Sequence, residues 1–179
     1  MLLLDAEHMN RLLEKAKVIR KQAQDAGPDA PADQFLSMSQ VLCQNQSNCQ
    51  LITTLGKHKL KFDEPLGNGG DDTALAPVFT LLCALSACME MNWVIYTSAS
   101  KMEVKKVEME VTGWIDLRFT FDDKVPVRIK RIELVSKIYT NDSAEKVARV
   151  YEKVKKYCIV GGSLHPDIEK TYRLEQYPA

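Results

Sequence analysis

Five cysteines, Cys43, Cys49, Cys83, Cys88 and Cys158, are the residues of this 179-residue chain best suited to chemistry. A thiol attacks only as its thiolate, and two thiols within reach can cycle through sulfenic acid and disulfide. Cys88 falls near the middle of an apolar helical run, with Leu81, Ala84, Leu85 and Met91 on its face. Burial there raises a thiol's pKa unless a cation is brought close. Cys158 ends the apolar stripe of another helix, where the dipole opposes a thiolate and Lys153, Lys155 and Lys156 offset it. Two thiols on the inward faces of packed helices can come within disulfide reach. One thiolate would then take an oxygen from a peroxide and the other would resolve the sulfenic acid as a disulfide. The competing reading is inert packing, because buried free cysteines are common core residues. Spacing and helical phase alone leave both readings open.

The other candidates are weaker. Cys43 and Cys49 flank a proposed turn and can face each other if its loop holds three residues. Their spacing is not a zinc knuckle and there is no second pair. Cys83 lies five positions before Cys88, about 140° round the helix, and should not share its pocket. His8, His58 and His165 are scattered, and no His/Asp/Glu set has metal spacing. Asp71-Asp72 read as helix caps. Gly67 to Gly70 lacks the following Lys-Ser/Thr of a phosphate loop. Lys124, Arg128, Lys130 and Arg131 make a local basic strand, balanced by Asp122, Asp123 and Glu133.

The elements that must position the thiols follow from the pattern. Residues 5 to about 26 form an amphipathic helix with Met9, Leu12, Leu13, Ala16, Ile19 and Ala23 at helical spacing, capped by Asp5 and stopped by Gly27-Pro28. This helix packs on the body or on a second subunit. A Pro/Ala/Asp-rich linker follows. Residues 35–62 read as two strands around Asn45-Gln46-Ser47-Asn48, the second arm kinked at Gly56. A Gly-rich loop then feeds a helix from Pro77 to about Thr97, apolar on every face and therefore interior. Val104 to Asp116 alternates as a strand, and Val127 to Tyr139 does so with a slip between Ile129 and Ile132 that implies a bulge. Asn141-Asp142-Ser143 opens the next helix, with Glu145 placed for a capping box behind Asp142, and Gly161-Gly162 ends it. A last strand or tail lies in residues 163–177. The order predicts an α+β fold with an antiparallel sheet wrapped on long central helices.

Lys+Arg and Asp+Glu balance at 24 each, which argues against an electrostatic nucleic-acid or membrane surface. Leu2-Leu3-Leu4 is too short for the apolar region of a signal peptide. Glu90 and Asn92 break the apolar run around Pro77, which is expected to fall short of a membrane span. An odd number of cysteines without a leader points to free thiols in a reducing, cytoplasmic setting. No metal and no cofactor is expected.

Several stretches together resemble one family. Phe62-Asp63-Glu64-Pro65, Gly69-Gly70-Asp71-Asp72-Thr73, Pro77 and Leu81-Leu82-Cys83-Ala84-Leu85-Ser86-Ala87-Cys88 are similar to the central signature of the OsmC/Ohr family. These are the osmotically inducible protein C and organic hydroperoxide resistance proteins. In that signature a proline precedes the cysteine by eleven positions, as Pro77 precedes Cys88. Tyr157-Cys158-Ile159-Val160-Gly161-Gly162-Ser163-Leu164 resembles the second signature, and Val107 to Leu117 the strand after the central helix. The likeness spans roughly residues 35–174, giving residues 1–33 as an N-terminal helix and linker and 34–179 as an OsmC-like domain. It implies a swapped, intertwined homodimer with two sites at the subunit interface. It also implies Cys88 as peroxidatic and Cys158 as resolving, an organic hydroperoxide substrate beside Phe79 and Met89, and a dithiol reductant. Two departures stand out: the family's glutamate two positions after the proline is Phe79, and residues 43–59 lack the family's arginine. Lys57, His58 and Lys59 are the basic residues left there, and Ile159 replaces a proline common after the second cysteine. These losses weaken the peroxidase expectation and favour a runner-up, a non-catalytic relative that binds a small apolar ligand or carries sulfur as a persulfide.

Overall fold

The computed structural model describes residues 3–179. Its order is α1 (Ala6–Ala26), β1 (Leu42–Ser47), β2 (Gln50–Leu55), β3 (His58–Phe62), α2 (Pro77–Ala99), β4 (Val104–Ile115), β5 (Ile129–Thr140), α3 (Ala144–Lys156), α4 (Ile159–Ser163) and β6 (Glu169–Tyr177). The fold is α+β. The described residues divide into two compact units, residues 13–81 and residues 3–12 with 82–179.

α1 starts as its residue types require: Asp5 Oδ1 accepts the His8 N–H at 2.9 Å, and Gly27 follows the last turn at φ +76°. No residue of α1 is buried. Leu12, Leu13 and Ile19 of its apolar stripe are exposed.

The first sheet, in residues 13–81, has the order β1-β2-β3, antiparallel throughout. The expected long second arm is two strands. Gly56 is not a kink but the first residue of a two-residue turn, at φ +57°, a backbone conformation that glycine adopts without strain. The preceding turn is Asn48-Cys49, with Asn48 at φ +46°, two residues later than expected. Cys43 consequently pairs with Thr53 and Cys49 sits in the turn, so the two cysteines are not opposite each other.

The loop that follows is organised by a residue the pattern did not flag. Asp63, only 1 % exposed, accepts from the N–H groups of Glu64 (2.8 Å), Asp71 (3.4 Å) and Thr73 (3.0 Å) and from the Thr73 hydroxyl (2.7 Å). The Thr73 N–H and hydroxyl hold its carboxyl below the usual carboxylate range. Gly70 threads past Glu64 so closely that a Cβ would lie 1.9 Å from the Glu64 carbonyl oxygen. Asp71 accepts from the Gln50 side chain at 3.0 Å instead of serving as the expected cap.

The second unit carries the core. Its sheet has the order β4-β5-β6, antiparallel between β4 and β5 but parallel between β5 and β6. The expectation of a purely antiparallel sheet fails at that pair, because α3 and α4 form the crossover that a parallel return needs. The predicted slip in β5 is a bulge: Trp114 pairs with Arg131 and Ile115 with Ile129, leaving Lys130 extra. α3 buries Val147, Val150, Tyr151 and Val154 of the stripe expected of it, which also held Tyr157 and Cys158; Tyr157 lies beyond the helix end and is exposed. Its cap is Ser143, whose hydroxyl accepts the Lys146 N–H at 3.3 Å. Asp142 instead takes the Lys146 ammonium at 2.7 Å, and Glu145 pairs with Arg149, so the capping box does not form.

α2 departs most from expectation. By length and composition it is long and apolar enough to cross a membrane, despite Glu90 and Asn92. Nor is it wrapped on all sides: only Leu85, Met89, Trp93, Thr97 and Ser98 are buried.

Candidate functional site

Cys88 is set by α2, and α2 is locked in place over its second half. Trp93, fully buried, donates its indole N–H to the Ser136 hydroxyl of β5 at 3.2 Å and stacks on Tyr151 of α3 at 5.6 Å. Ser136 in turn donates to the Met109 sulfur of β4 at 3.0 Å. Ser86 donates to the Met109 carbonyl at 3.3 Å, and Asn92 to the Val154 carbonyl of α3 at 3.1 Å. Leu85, Cys88 and Asn92 follow at three and four positions, so they share one side of the helix. That side faces α3 and the corner after it.

Cys158 is set by that corner. α3 ends at Lys156, Tyr157 leaves helical geometry, and Cys158 (φ −76°, ψ 102°) is the N-cap of α4. It therefore does not sit in the last turn of a helix, as the pattern implied, and both glycines lie inside α4 instead of ending α3. The Gly161 N–H donates to the Cys158 sulfur at 3.2 Å. The residue is 4 % exposed. Burial pushes its thiol up to about 11. The Gly161 N–H opposes that shift, while the neighbouring Cys88 thiol adds to it. The two cysteines singled out in the sequence are thus brought together, Cys88 partly exposed and Cys158 sealed.

Two further residues around Cys158, Tyr172 and Lys170, had no signal in the sequence pattern, and Lys155 had one only as a charge near the helix end. Tyr172 of β6 titrates high because of burial and because it feels the charge of Cys158. Lys155 lies 4.9 Å over the Tyr151 ring and 5.8 Å from that of Tyr172. Lys170 donates to the Gly161 carbonyl at 3.5 Å. The contacts made by Tyr172 and Lys170 depend on the parallel pairing of β6, which no local pattern encodes.

The remaining candidates lie elsewhere. Met89 faces the core at 1 % exposure, and Phe79, in the first turns of α2, is 45 % exposed. Of the proposed walls of Cys88, only Leu85 is buried; Leu81, Ala84 and Met91 are exposed. Cys83 is exposed, on the far side of α2. Lys57, His58 and Lys59 sit exposed at the β2–β3 turn. Arg128 pairs with Asp167 at 3.0 Å, and Arg131 lies 3.9 Å over the Trp114 ring, so the basic stretch is partly neutralised surface. Among the described residues no group of three or more His, Cys, Asp and Glu could hold a metal ion.

Comparison with known proteins gives a consistent result. Residues 69–173 match the family model described as OsmC-like protein. The chain is similar in fold to an OsmC-like protein from Mycoplasma pneumoniae, at TM-score 0.69 and 16 % identity over 79 % of this chain and 98 % of that one. It is similar to an organic hydroperoxide resistance protein OsmC from Legionella pneumophila, at TM-score 0.60 and 18 % identity over 78 % and 98 %. A third likeness is to an organic hydroperoxide resistance protein from Elizabethkingia anophelis, at TM-score 0.63 and 15 % identity over 79 % and 98 %. No curated protein matches the chain by sequence.

Proposed function

The chain belongs to the OsmC-like protein family, and from that premise we propose that it is a cytoplasmic, dithiol-dependent reductant of organic hydroperoxides. The observation that carries this reading is a partly exposed thiol, Cys88, close enough to a buried one, Cys158, to raise its pKa. An oxidant diffusing in meets Cys88 first. Its sulfur attacks the terminal peroxide oxygen, the O–O bond breaks, and the alkoxide leaves with a proton as alcohol. Cys88 is then a sulfenic acid. Cys158 attacks it, the S–O bond breaks, and water departs with the thiol proton. An external dithiol reduces the resulting disulfide by exchange and restores both thiols. Because the Cys158 thiol sits at about 11, disulfide closure should quicken with rising pH through the neutral range.

The active form proposed is an intertwined homodimer. Its support is the exposed apolar surface on α1 and α2. Phe79 stands nine positions before Cys88, half a turn round α2 and about 14 Å along it. Within one chain it therefore lies away from Cys88, and it would flank a substrate only at the other copy's Cys88 in a two-copy pocket. Met89, being buried, would support that pocket from behind. The partners proposed are thus a second copy, a small organic hydroperoxide and a dithiol, with no nucleic acid and no membrane.

One observation favours a second reading. Phe79 is an exposed apolar side chain where the family places a carboxylate, which suits binding of a small apolar ligand, or sulfur carriage as a persulfide, without peroxide turnover. Stopped-flow consumption of cumene hydroperoxide with a dithiol separates the two. The peroxidase predicts rapid loss with the wild type and only background loss with Cys88→Ser. Equal, negligible loss in both would remove the peroxidase reading.

A further inference from the structure

Gly161 contributes no side chain to the site, yet the thiol beside it depends on that absence. We propose that Gly161 is a positioning residue for Cys158: its bare Cα leaves the sulfur room beside Leu85, and its N–H holds the sulfur aimed at Cys88. The inference rests on the reading of Cys88 and Cys158 as a redox pair.

Two independent features support it. The first is space. A Cβ on Gly161 would lie 3.3 Å from the Cys158 sulfur, 3.5 Å from its Cβ and 3.5 Å from a Leu85 methyl. The first of these contacts is tight enough that the sulfur must give by a few tenths of an ångström, while the two at 3.5 Å are ordinary van der Waals contact. Backbone conformation does not explain the glycine, because Gly161 is not among the residues with positive φ. The second is the hydrogen bond from its N–H to the sulfur at 3.2 Å. Lys170 holds the same residue through its carbonyl at 3.5 Å, tying it to β6. Gly162, the next residue of α4, supplies an internal contrast, since a Cβ there meets nothing within 4 Å.

The step affected is disulfide closure. Cys158 S–H attacks Cys88 S–OH, the S–S bond forms, the S–O bond breaks, and water leaves with the thiol proton. No further reactant is needed. The titratable groups facing Cys158 are Cys88 from α2 and Tyr172 from β6. A sulfur displaced from the Gly161 N–H loses the larger of the two backbone contacts, from Gly161 and Val160, that favour its thiolate.

Wild type, Gly161→Ala and Gly162→Ala should be compared in single turnovers with cumene hydroperoxide. The sulfenic acid at Cys88 is trapped with a 1,3-diketone, and the disulfide is followed by mass spectrometry. Sulfenic acid formation should be alike in all three. Closure in Gly161→Ala should slow on the order of tenfold, since a reacting atom misplaced by about 1 Å can cost as much as 10²-fold, and its pH midpoint should move upward. Gly162→Ala should close like the wild type. In unmutated protein, the Gly161 amide proton resonance should move on oxidation far more than that of Gly162, a reading independent of whether Gly161→Ala folds. Unchanged closure in Gly161→Ala, equal slowing of both steps, or a Gly161 amide indifferent to oxidation would overturn the assignment. A wild type that forms no Cys88–Cys158 disulfide would instead overturn the redox pair itself.

Discussion

The two sheets have three strands each, yet they differ sharply in what they bury. In β4-β5-β6 the middle strand buries Ile132, Leu134, Ser136 and Ile138 among others, on both of its faces. In β1-β2-β3 no residue is buried at all, and all six residues of β1 are exposed. The register puts Leu51, Leu55, Leu60 and Phe62 on one face, since Leu51 pairs with Phe62 and Thr53 with Leu60. One sheet is thus finished by its own chain, while the other presents an apolar face in want of cover. The thiol pair is anchored to the finished one, because Trp93, Ser136 and Tyr151 tie α2 to β5 and α3. Placement of the two sulfurs is therefore a property of a single chain, and the open sheet is where the proposed second copy would add its contribution.

The largest test of that contrast is Trp93→Ala. Removing a fully buried indole with its hydrogen bond and stacking partner should cost about 3–5 kcal/mol in urea unfolding. It should also separate the two thiols; a destabilisation below about 1 kcal/mol would show that the frame is not where the stability lies. An intermediate effect is expected from Leu60→Asp on the open sheet, where the residue is 50 % exposed. Sedimentation should shift from dimer to 20.2 kDa monomer with circular dichroism unchanged, whereas a wild type that is already monomeric at micromolar concentration would refute the dimer. The smallest effect belongs to Asp63. Its folded pKa is depressed below the ordinary 3.8, so its contribution is present above about that pH and is lost as pH falls through the lower folded value. Wild-type melting temperature should decline on acidification below about pH 4. Asp63→Asn, which turns an N–H donor toward N–H donors, should melt lower near neutrality and show a flatter acid profile.

What could be read from the sequence follows how local its cause is. The α3 stripe, the β4 alternation and the β5 bulge were legible because each is decided by neighbours within a few positions. The third strand was not, because Gly56 in a two-residue turn and Gly56 as a kink look alike without the pairing partner. Cys88 and Cys158 were recognisable as a pair through the family signatures. The environment of Cys158 was not, because α4, Lys170 and Tyr172 reach it only after β6 returns parallel to β5. Asp63 stood in the family signature, but its role was not legible for the same reason: it satisfies the N–H of Thr73, ten positions on. α2 was misjudged because an apolar helix in sequence looks the same whether its outer face meets its own chain or another.

The most direct test of the redox pair is non-reducing peptide mapping of the wild type after one equivalent of cumene hydroperoxide. The account predicts a disulfide joining the peptides that carry Cys88 and Cys158, with Cys43, Cys49 and Cys83 still free. Disulfides through those other cysteines, or a Cys88 left unoxidised while hydroperoxide is consumed, would contradict it.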